Sequence, residues 1–182
     1  YPPMSTRLQE LGIELIEGWS PDQLALKPDL FVVGNVVSRG NPLIEAILDA
    51  GLPYTSGPQW LQEHVLQGRH VLAVAGTHGK TTTTAMLTWA MRNLGMDPAF
   101  FIGGELPGVA DDGGPSNSGW GEGEWAVVEA DESDGSFLVL DPEVAVVTNI
   151  EMDHHSRWSG LVELRQAFTD FTGKARAAVL PQ

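Results

Sequence analysis

Apolar residues in this chain fall into short runs closed by glycine, alternating with stretches in which apolar positions recur every three or four residues. Val71-Leu72-Ala73-Val74-Ala75 is too short for a helix, ends at Gly76, and predicts a fully buried strand. Ala85 to Met91 has helical spacing and Gly95 as its stop. The same pattern predicts strands at 98–103, 125–129 and 143–149, a helix carrying Leu161, Leu164, Ala167, Phe168 and Phe171, and a strand starting at Ala177. Upstream, Ser5 is placed to cap a helix through Leu8 and Leu11, followed by strands at 13–16, 29–34 and 53–56. Asn41-Pro42 opens a helix with a capping amide and proline at its first position; its inner face is Leu43, Ile44, Ala46, Ile47 and Leu48. Pro58 opens another, with Trp60, Leu61, Val65 and Leu66, and Gly68-Arg69 is the expected hand-over between two domains, 1–67 and 68–182. Residues 105–124, rich in Gly, Pro, Ser, Asn and Asp, are predicted to be an exposed loop. Strand and helix alternate as in a parallel α/β layer.

Between the strand ending at Ala75 and the helix after it lies Gly76-Thr77-His78-Gly79-Lys80-Thr81-Thr82. Strand, glycine turn, lysine, hydroxyl and helix form a phosphate cradle: the glycines let backbone N–H groups turn inward, and the helix start adds the positive end of its dipole. Lysine at a helix N-terminus opposes that dipole unless an anion is present. Lys80 is expected to reach the outer phosphates and the Thr81 hydroxyl to face Mg²⁺. The loop is shorter than the general pattern, which has glycine where this chain has Val74. His78 is expected to contribute its backbone.

The 182 residues are 42% hydrophobic, with six tryptophans and no cysteine. A packed core is expected, while disulfides and thiolate metal sites are excluded. A net charge of −14 argues against a nucleic-acid surface, which needs clustered Lys and Arg. No apolar run is long enough to span a bilayer. A cytoplasmic protein acting on small molecules is expected, with its oligomeric state open.

In a parallel sheet, ligands sit beyond the carboxyl ends of the strands. Two further strands end in suitable groups: Glu129, where a Mg²⁺ ligand belongs, and Asn149 followed by Asp153-His154, which puts His154 beside the nucleotide as a candidate ligand. Asp131, Glu132 and Asp134 suit a site or a solvated acidic loop equally. Gly76–Thr82, Glu129–Asp134 and Thr148–His154 together resemble, in order and spacing, the central ATPase domain of the Mur ligases. Gly34 to Pro42 resembles a segment of the same family's UDP-binding domain.

The resemblance implies an α/β fold with part of a Rossmann-like N-terminal domain (1–67) and part of a P-loop ATPase domain with a mostly parallel sheet (68–182), without the family's C-terminal domain. It implies that Asn35, Ser38, Arg39, Asn41, Ser133 and Asp134 contact substrate. Gly76, Thr77, His78, Gly79, Lys80, Thr81, Thr82 and Asn149 would bind ATP. Mg²⁺ would be held by Thr81, Glu129 and His154, with Lys80, Glu129 and His154 catalytic. The implied reaction is amide ligation: the carboxylate of UDP-N-acetylmuramate takes the γ-phosphoryl group of ATP, and an amine displaces phosphate from the acyl phosphate. The amine is expected to be the tripeptide L-alanyl-γ-D-glutamyl-meso-diaminopimelate, as in cell-wall peptide recycling, with single L-alanine as the alternative. The chain departs from the family at Gly135, Ser156 and Trp158, where alanine, an acidic residue and tyrosine are commoner. An α/β pattern already under way at Tyr1, and a strand just starting near the other end, lead to the expectation of a piece of a longer enzyme. Its expected behaviour alone is nucleotide binding without turnover. Folylpolyglutamate synthesis and a plain P-loop NTPase are the remaining readings.

Overall fold

The computed structural model describes residues 4–108, 116–153 and 157–181. The chain forms two compact units, Tyr1–Ser56 and Gly57–Gln182. The first contains α1 (Met4–Glu10), a 3-10 turn at Pro21–Leu26, β1 (Phe31–Val33), α2 (Pro42–Asp49) and β2 (Tyr54–Ser56). β1 and β2 pair in parallel. Leu43, Ile44 and Ile47 of α2 are buried against Phe31 and Val33. Ser5 lies inside α1 rather than capping it. The strand expected at 13–16 does not form: Ile13, Leu15 and Ile16 are exposed and pair with no neighbour in the two-stranded sheet.

The second unit contains α3 (Gly57–Trp60), continued by a π turn at Leu61–Val65, then β3 (His70–Ala75), α4 (Lys80–Asn93), β4 (Ala99–Leu106) and β5 (Ser116–Gly119). β6 (Trp125–Glu129), β7 (Val144–Val147), α5 (Leu161–Lys174) and β8 (Ala177–Val179) complete it. Residues 57–67, given to the first domain on sequence, pack here: Leu66 is in the main core with Leu61 against it, and Asp141 N donates to Gln62 Oε1 at 3.0 Å.

The sheet order is β5-β4-β6-β3-β7-β8, parallel except for the β4–β5 pair. β3 lies at its centre, and both faces are covered, as its continuous apolar run requires. Val71, Ala73 and Ala75 face the core of Phe137, Trp158, Leu164, Phe168 and Phe171. Leu72 and Val127 face Met91, Phe100 and Ile102. In α4 the buried stripe includes Thr84 and Thr88, whose hydroxyls donate to the carbonyls four residues back at 2.8 and 2.9 Å. Met86 and Trp89 of the same helix are 67% and 65% exposed.

The expected loop 105–124 is partly a strand, because its glycines serve close approach. A Cβ on Gly119 would lie 2.3 Å from the Phe100 ring, and one on Gly121 would lie 2.0 Å from the Asp97 carbonyl oxygen. Arg69 fastens this edge, donating to Gly123 O at 2.6 Å and Gly121 O at 2.9 Å while its guanidinium lies 4.0 Å from the Trp120 ring centre.

Candidate nucleotide-binding site

The parallel β3–β7 ladder continues past the sheet and sets the loop. Thr148 N donates to Ala75 O and Thr77 N to Asn149 O. The Thr77 hydroxyl donates to Glu151 O at 3.0 Å and accepts from Glu151 N at 2.9 Å. His78 N donates to Asn149 Oδ1 at 2.9 Å; His78 O accepts from Asn149 Nδ2 at 3.1 Å and from Thr148 Oγ1 at 2.6 Å. Asn149 is thus a brace for the loop backbone, and His78 takes part through its main chain, with an exposed ring.

Gly76 must be glycine: its φ is 139°, and a Cβ would lie 2.0 Å from Thr148 Oγ1. Gly79 caps α4 with φ 80°, and the space a Cβ would point into is open. α4 begins at Lys80, with Thr81 and Thr82 in its exposed first turn.

Lys80 Nζ donates to Gly76 O and to Glu132 Oε2, both at 2.8 Å. The Lys80 side chain is 14% exposed and that of Glu132 is 1% exposed. Thr81 Oγ1 donates to Glu129 Oε1 at 2.9 Å, while Glu129 Oε2 accepts from Gly103 N at 2.7 Å. A Cβ on Gly103 would lie 3.0 Å from Glu129 Oε1, and one on Gly104 would lie 2.9 Å from Thr81 Cγ2. The Gly103-Gly104 pair therefore lets the hydroxyl and carboxylate meet. Lys80, Glu129, Gly103, Asp131 and Ser133 line one cavity of about 510 Å³, with Leu61, Phe101 and Val128 as apolar wall.

The residues fit a magnesium–nucleotide. Mg²⁺ takes hard oxygens and keeps several waters, so one hydroxyl and one carboxylate suffice beside phosphate oxygens. Among the described residues, no three His, Asp or Glu side chains gather into a complete metal site. His154 lies outside the described residues.

After Glu129 the chain makes a tight acidic turn. Asp131 accepts from Ser133 N at 3.1 Å and Ser133 Oγ at 2.8 Å, and Ser136 N donates to Asp134 Oδ1 at 2.7 Å. Trp158 is buried, and its Nε1 donates to Glu132 O at 3.1 Å. Gly135 leaves room for Arg157, whose Nε donates to Asp134 O at 3.2 Å. Ser133 faces the cavity and Asp134 is exposed. Glu132, balanced on sequence between site and solvent, is buried against the loop lysine. The glycine pair ending the 98–103 run was the signal in the sequence for the carboxylate support.

In the first unit, Asn41 Oδ1 accepts from Leu43 N at 3.0 Å and Ile44 N at 3.2 Å, so it caps α2 as expected. Arg39 makes a bidentate pair with Glu45 at 2.8 and 2.9 Å, and Gly40 N donates to Glu45 Oε1 at 2.7 Å. This pairing raises the Arg39 pKa and lowers that of Glu45, the side-chain hydrogen bond acting first in each. Asn35 and Ser38 are exposed in the turn before them. An apolar cleft of about 140 Å³ beside this turn is lined by Trp19, Phe31, Val37 and Ile44.

A glycine loop leading from a central parallel strand into a helix, with a carboxylate at the neighbouring strand end, defines an α/β protein of the phosphate-loop type. Residues 1–69 match the Mur ligase family catalytic domain and residues 74–180 the Mur ligase middle domain, and the chain belongs to the Mur ligase family. It is 45% identical over 175 residues to the UDP-N-acetylmuramate–L-alanyl-γ-D-glutamyl-meso-2,6-diaminoheptandioate ligase of Escherichia coli strain K12, covering 92% of this chain and 37% of that protein. It is 42% identical over 170 residues to the UDP-N-acetylmuramate–L-alanine ligase of Psychrobacter sp. strain PRwf-1, covering 93% and 34%. The crystal structure of UDP-N-acetylmuramate:L-alanyl-γ-D-glutamyl-meso-diaminopimelate ligase from Neisseria meningitides aligns with TM-score 0.85 and 41% identity, covering 96% of this chain and 58% of that one. The chain spans little more than a third of the length of the curated relatives it matches. No helix among the described residues is long and apolar enough to cross a membrane.

Proposed function

We propose that the chain supplies the ATP-binding part, and some of the UDP-sugar-binding part, of a cytoplasmic ligase that joins UDP-N-acetylmuramate to L-alanyl-γ-D-glutamyl-meso-diaminopimelate through an acyl phosphate, in peptidoglycan recycling. The carrying observation is that the loop lysine and Glu129 line one cavity, and that the Thr81 hydroxyl donates to Glu129 at 2.9 Å. Residues 57–182 would take ATP and residues 1–56 the UDP-sugar, with Asn35, Ser38, Arg39 and Asn41 on its side of the chemistry and Ser133 and Asp134 nearer the reacting groups.

Phosphoryl transfer needs positioning and charge neutralisation more than covalent help from the protein. The loop N–H groups that Asn149 does not engage, with those of the first turn of α4, would cradle phosphate oxygens, and Lys80 would neutralise them. Thr81, Glu129 and His154 would hold magnesium; Gly103 N keeps the Glu129 carboxylate turned towards Thr81. A magnesium ion held there would supply charge neutralisation against the repulsion between the sugar acid and the terminal phosphate, about 4 kcal/mol for unit charges near 4 Å at an effective dielectric of 20.

Identity to the tripeptide ligase of Escherichia coli supports the tripeptide as the amine. The second reading, L-alanine, is supported by 42% identity to an L-alanine ligase. ADP release by the intact protein, with UDP-N-acetylmuramate and either amine, separates the two. Release only with tripeptide is expected; release only with L-alanine replaces the first reading by the second. Lys80→Ala should abolish turnover while the circular dichroism spectrum stays unchanged, and turnover at the wild-type rate refutes the site.

A further inference from the structure

Lys80 is the cation on which the phosphate cradle depends, yet its ammonium is already engaged. It bonds to Gly76 O within the loop and to Glu132 Oε2, each at 2.8 Å. Glu132 reaches Lys80 from the turn after β6, so its carboxylate arrives from outside the loop. That turn is tied at several points. Glu132 O accepts from Gly135 N at 3.1 Å and from the buried Trp158 indole at 3.1 Å, while Ser133 closes onto Asp131. A carboxylate 1% exposed, on a backbone held this firmly, is built to stay in place.

Two opposite roles fit such a contact. As a competitor, Glu132 would occupy the phosphate position and be displaced by nucleotide. As a positioning group, it would hold the ammonium at the cavity wall while nucleotide binds. Geometry favours the second. An ammonium has three donors, and the Gly76 carbonyl and Glu132 take two, leaving one for an incoming oxygen. Displacement would strand a buried carboxylate, and breaking one side of a buried ion pair is strongly unfavourable. Lys80, Gly103, Glu129 and Ser133 line the cavity and Glu132 does not, so a phosphate entering it need not take the place of the Glu132 carboxylate.

We infer that Glu132 is a positioning residue for Lys80, retaining its ion pair when nucleotide binds and fixing the direction in which the lysine meets the phosphate; this rests on the nucleotide-binding reading above. In this role Glu132 acts through the lysine and not on the substrate. Trp158 holds Glu132 in turn.

The test is the affinity of the intact protein for magnesium–ATP, by calorimetric titration, in wild type, Glu132→Gln, Lys80→Met and the double variant. Glu132→Gln keeps the side-chain shape and removes the charge, and should weaken binding roughly ten- to hundredfold, as for loss of a hydrogen bond to a charged group. Glu132→Asp, which keeps the charge one methylene shorter, should recover part of that loss. Adding Glu132→Gln to Lys80→Met should change affinity no further, because a positioning role acts through the lysine. Tighter binding by Glu132→Gln overturns the inference and makes Glu132 a competitor. Additive losses in the double variant also overturn it, since they mark a general structural role. Should Glu132→Gln fail to fold, Glu132→Asp decides: affinity equal to wild type overturns the inference, and weaker binding with an unchanged melting temperature supports it. A wild-type protein that does not bind magnesium–ATP overturns the nucleotide reading as well, so the two failures are distinguishable.

Discussion

The two units hold their candidate ligand loops by opposite means. The 76–80 loop is tied to residues seventy or more positions away, through Thr148, Asn149 and Glu151. The side-chain bonds found at the turn from Arg39 into α2 span six positions or fewer. The first loop takes its shape from the assembled sheet, and the second takes its shape locally. A defect in the first should therefore spread into β3 and β7, and a defect in the second should stay near α2.

Gly76→Ala should break the first arrangement most severely. The added methyl meets Thr148 Oγ1 and the φ of 139° disfavours a side chain, so a loss of roughly 3 kcal/mol is expected in urea unfolding. Nucleotide binding should vanish as well, and a variant that binds normally would show that the loop tolerates another path. Asn149→Ala removes the brace on both sides of His78 and should lower stability by about 1–3 kcal/mol. Faster hydrogen exchange should then appear at Thr77 and His78 together with Glu151; exchange confined to His78 alone would deny the long-range tie.

In the first unit, Asn41→Ala deletes the α2 cap and should destabilise by about 1 kcal/mol, with exchange changes limited to the start of that helix. Glu45→Gln should have the smallest effect, and one that depends on pH. The Glu45 carboxyl is held below its ordinary value of 4.5 by the Arg39 hydrogen bond and then by Gly40 N. A depressed carboxylate stabilises above its unfolded value, and that contribution disappears as pH falls through the folded one. The variant should therefore show a shallower fall in stability below pH 4.5, measured by thermal melting. An unchanged acid limb would remove Glu45 from the account.

The same contrast explains what could be read in the sequence. β3, β6 and β7 are covered on both faces, so residues 71–75, 125–128 and 144–147 are apolar without interruption and their strands were plain. Gly76, Lys80 and Thr81 stood out because a phosphate loop needs those residue types at that spacing, and Glu129 because it ends a buried strand; the structure puts the Thr81 hydroxyl and the Glu129 carboxylate 2.9 Å apart. Ile13–Ile16 misled because a short apolar run becomes a strand only beside a partner, and the first unit's sheet has two strands. Residues 116–119 misled in the other direction: glycine and serine suggested a loop where they allow close contact with Phe100. The threonine stripe of α4 was hidden because Thr84 and Thr88 are buried by returning their hydroxyls to their own helix. Glu132 was undecidable on sequence, since four acidic positions close together differ only in which one the turn aims inward.

Arg69 carries a consequence for behaviour in acid. It is bound to two backbone carbonyls and an indole face, none of which takes up protons in the range where carboxylates do. Acid titration weakens the carboxylate-dependent ties of Glu45 to Arg39 and of Glu143 to His70 and Arg176, and leaves this rivet intact. The antiparallel margin of the large sheet should accordingly be among the last places to come apart as the solution is acidified.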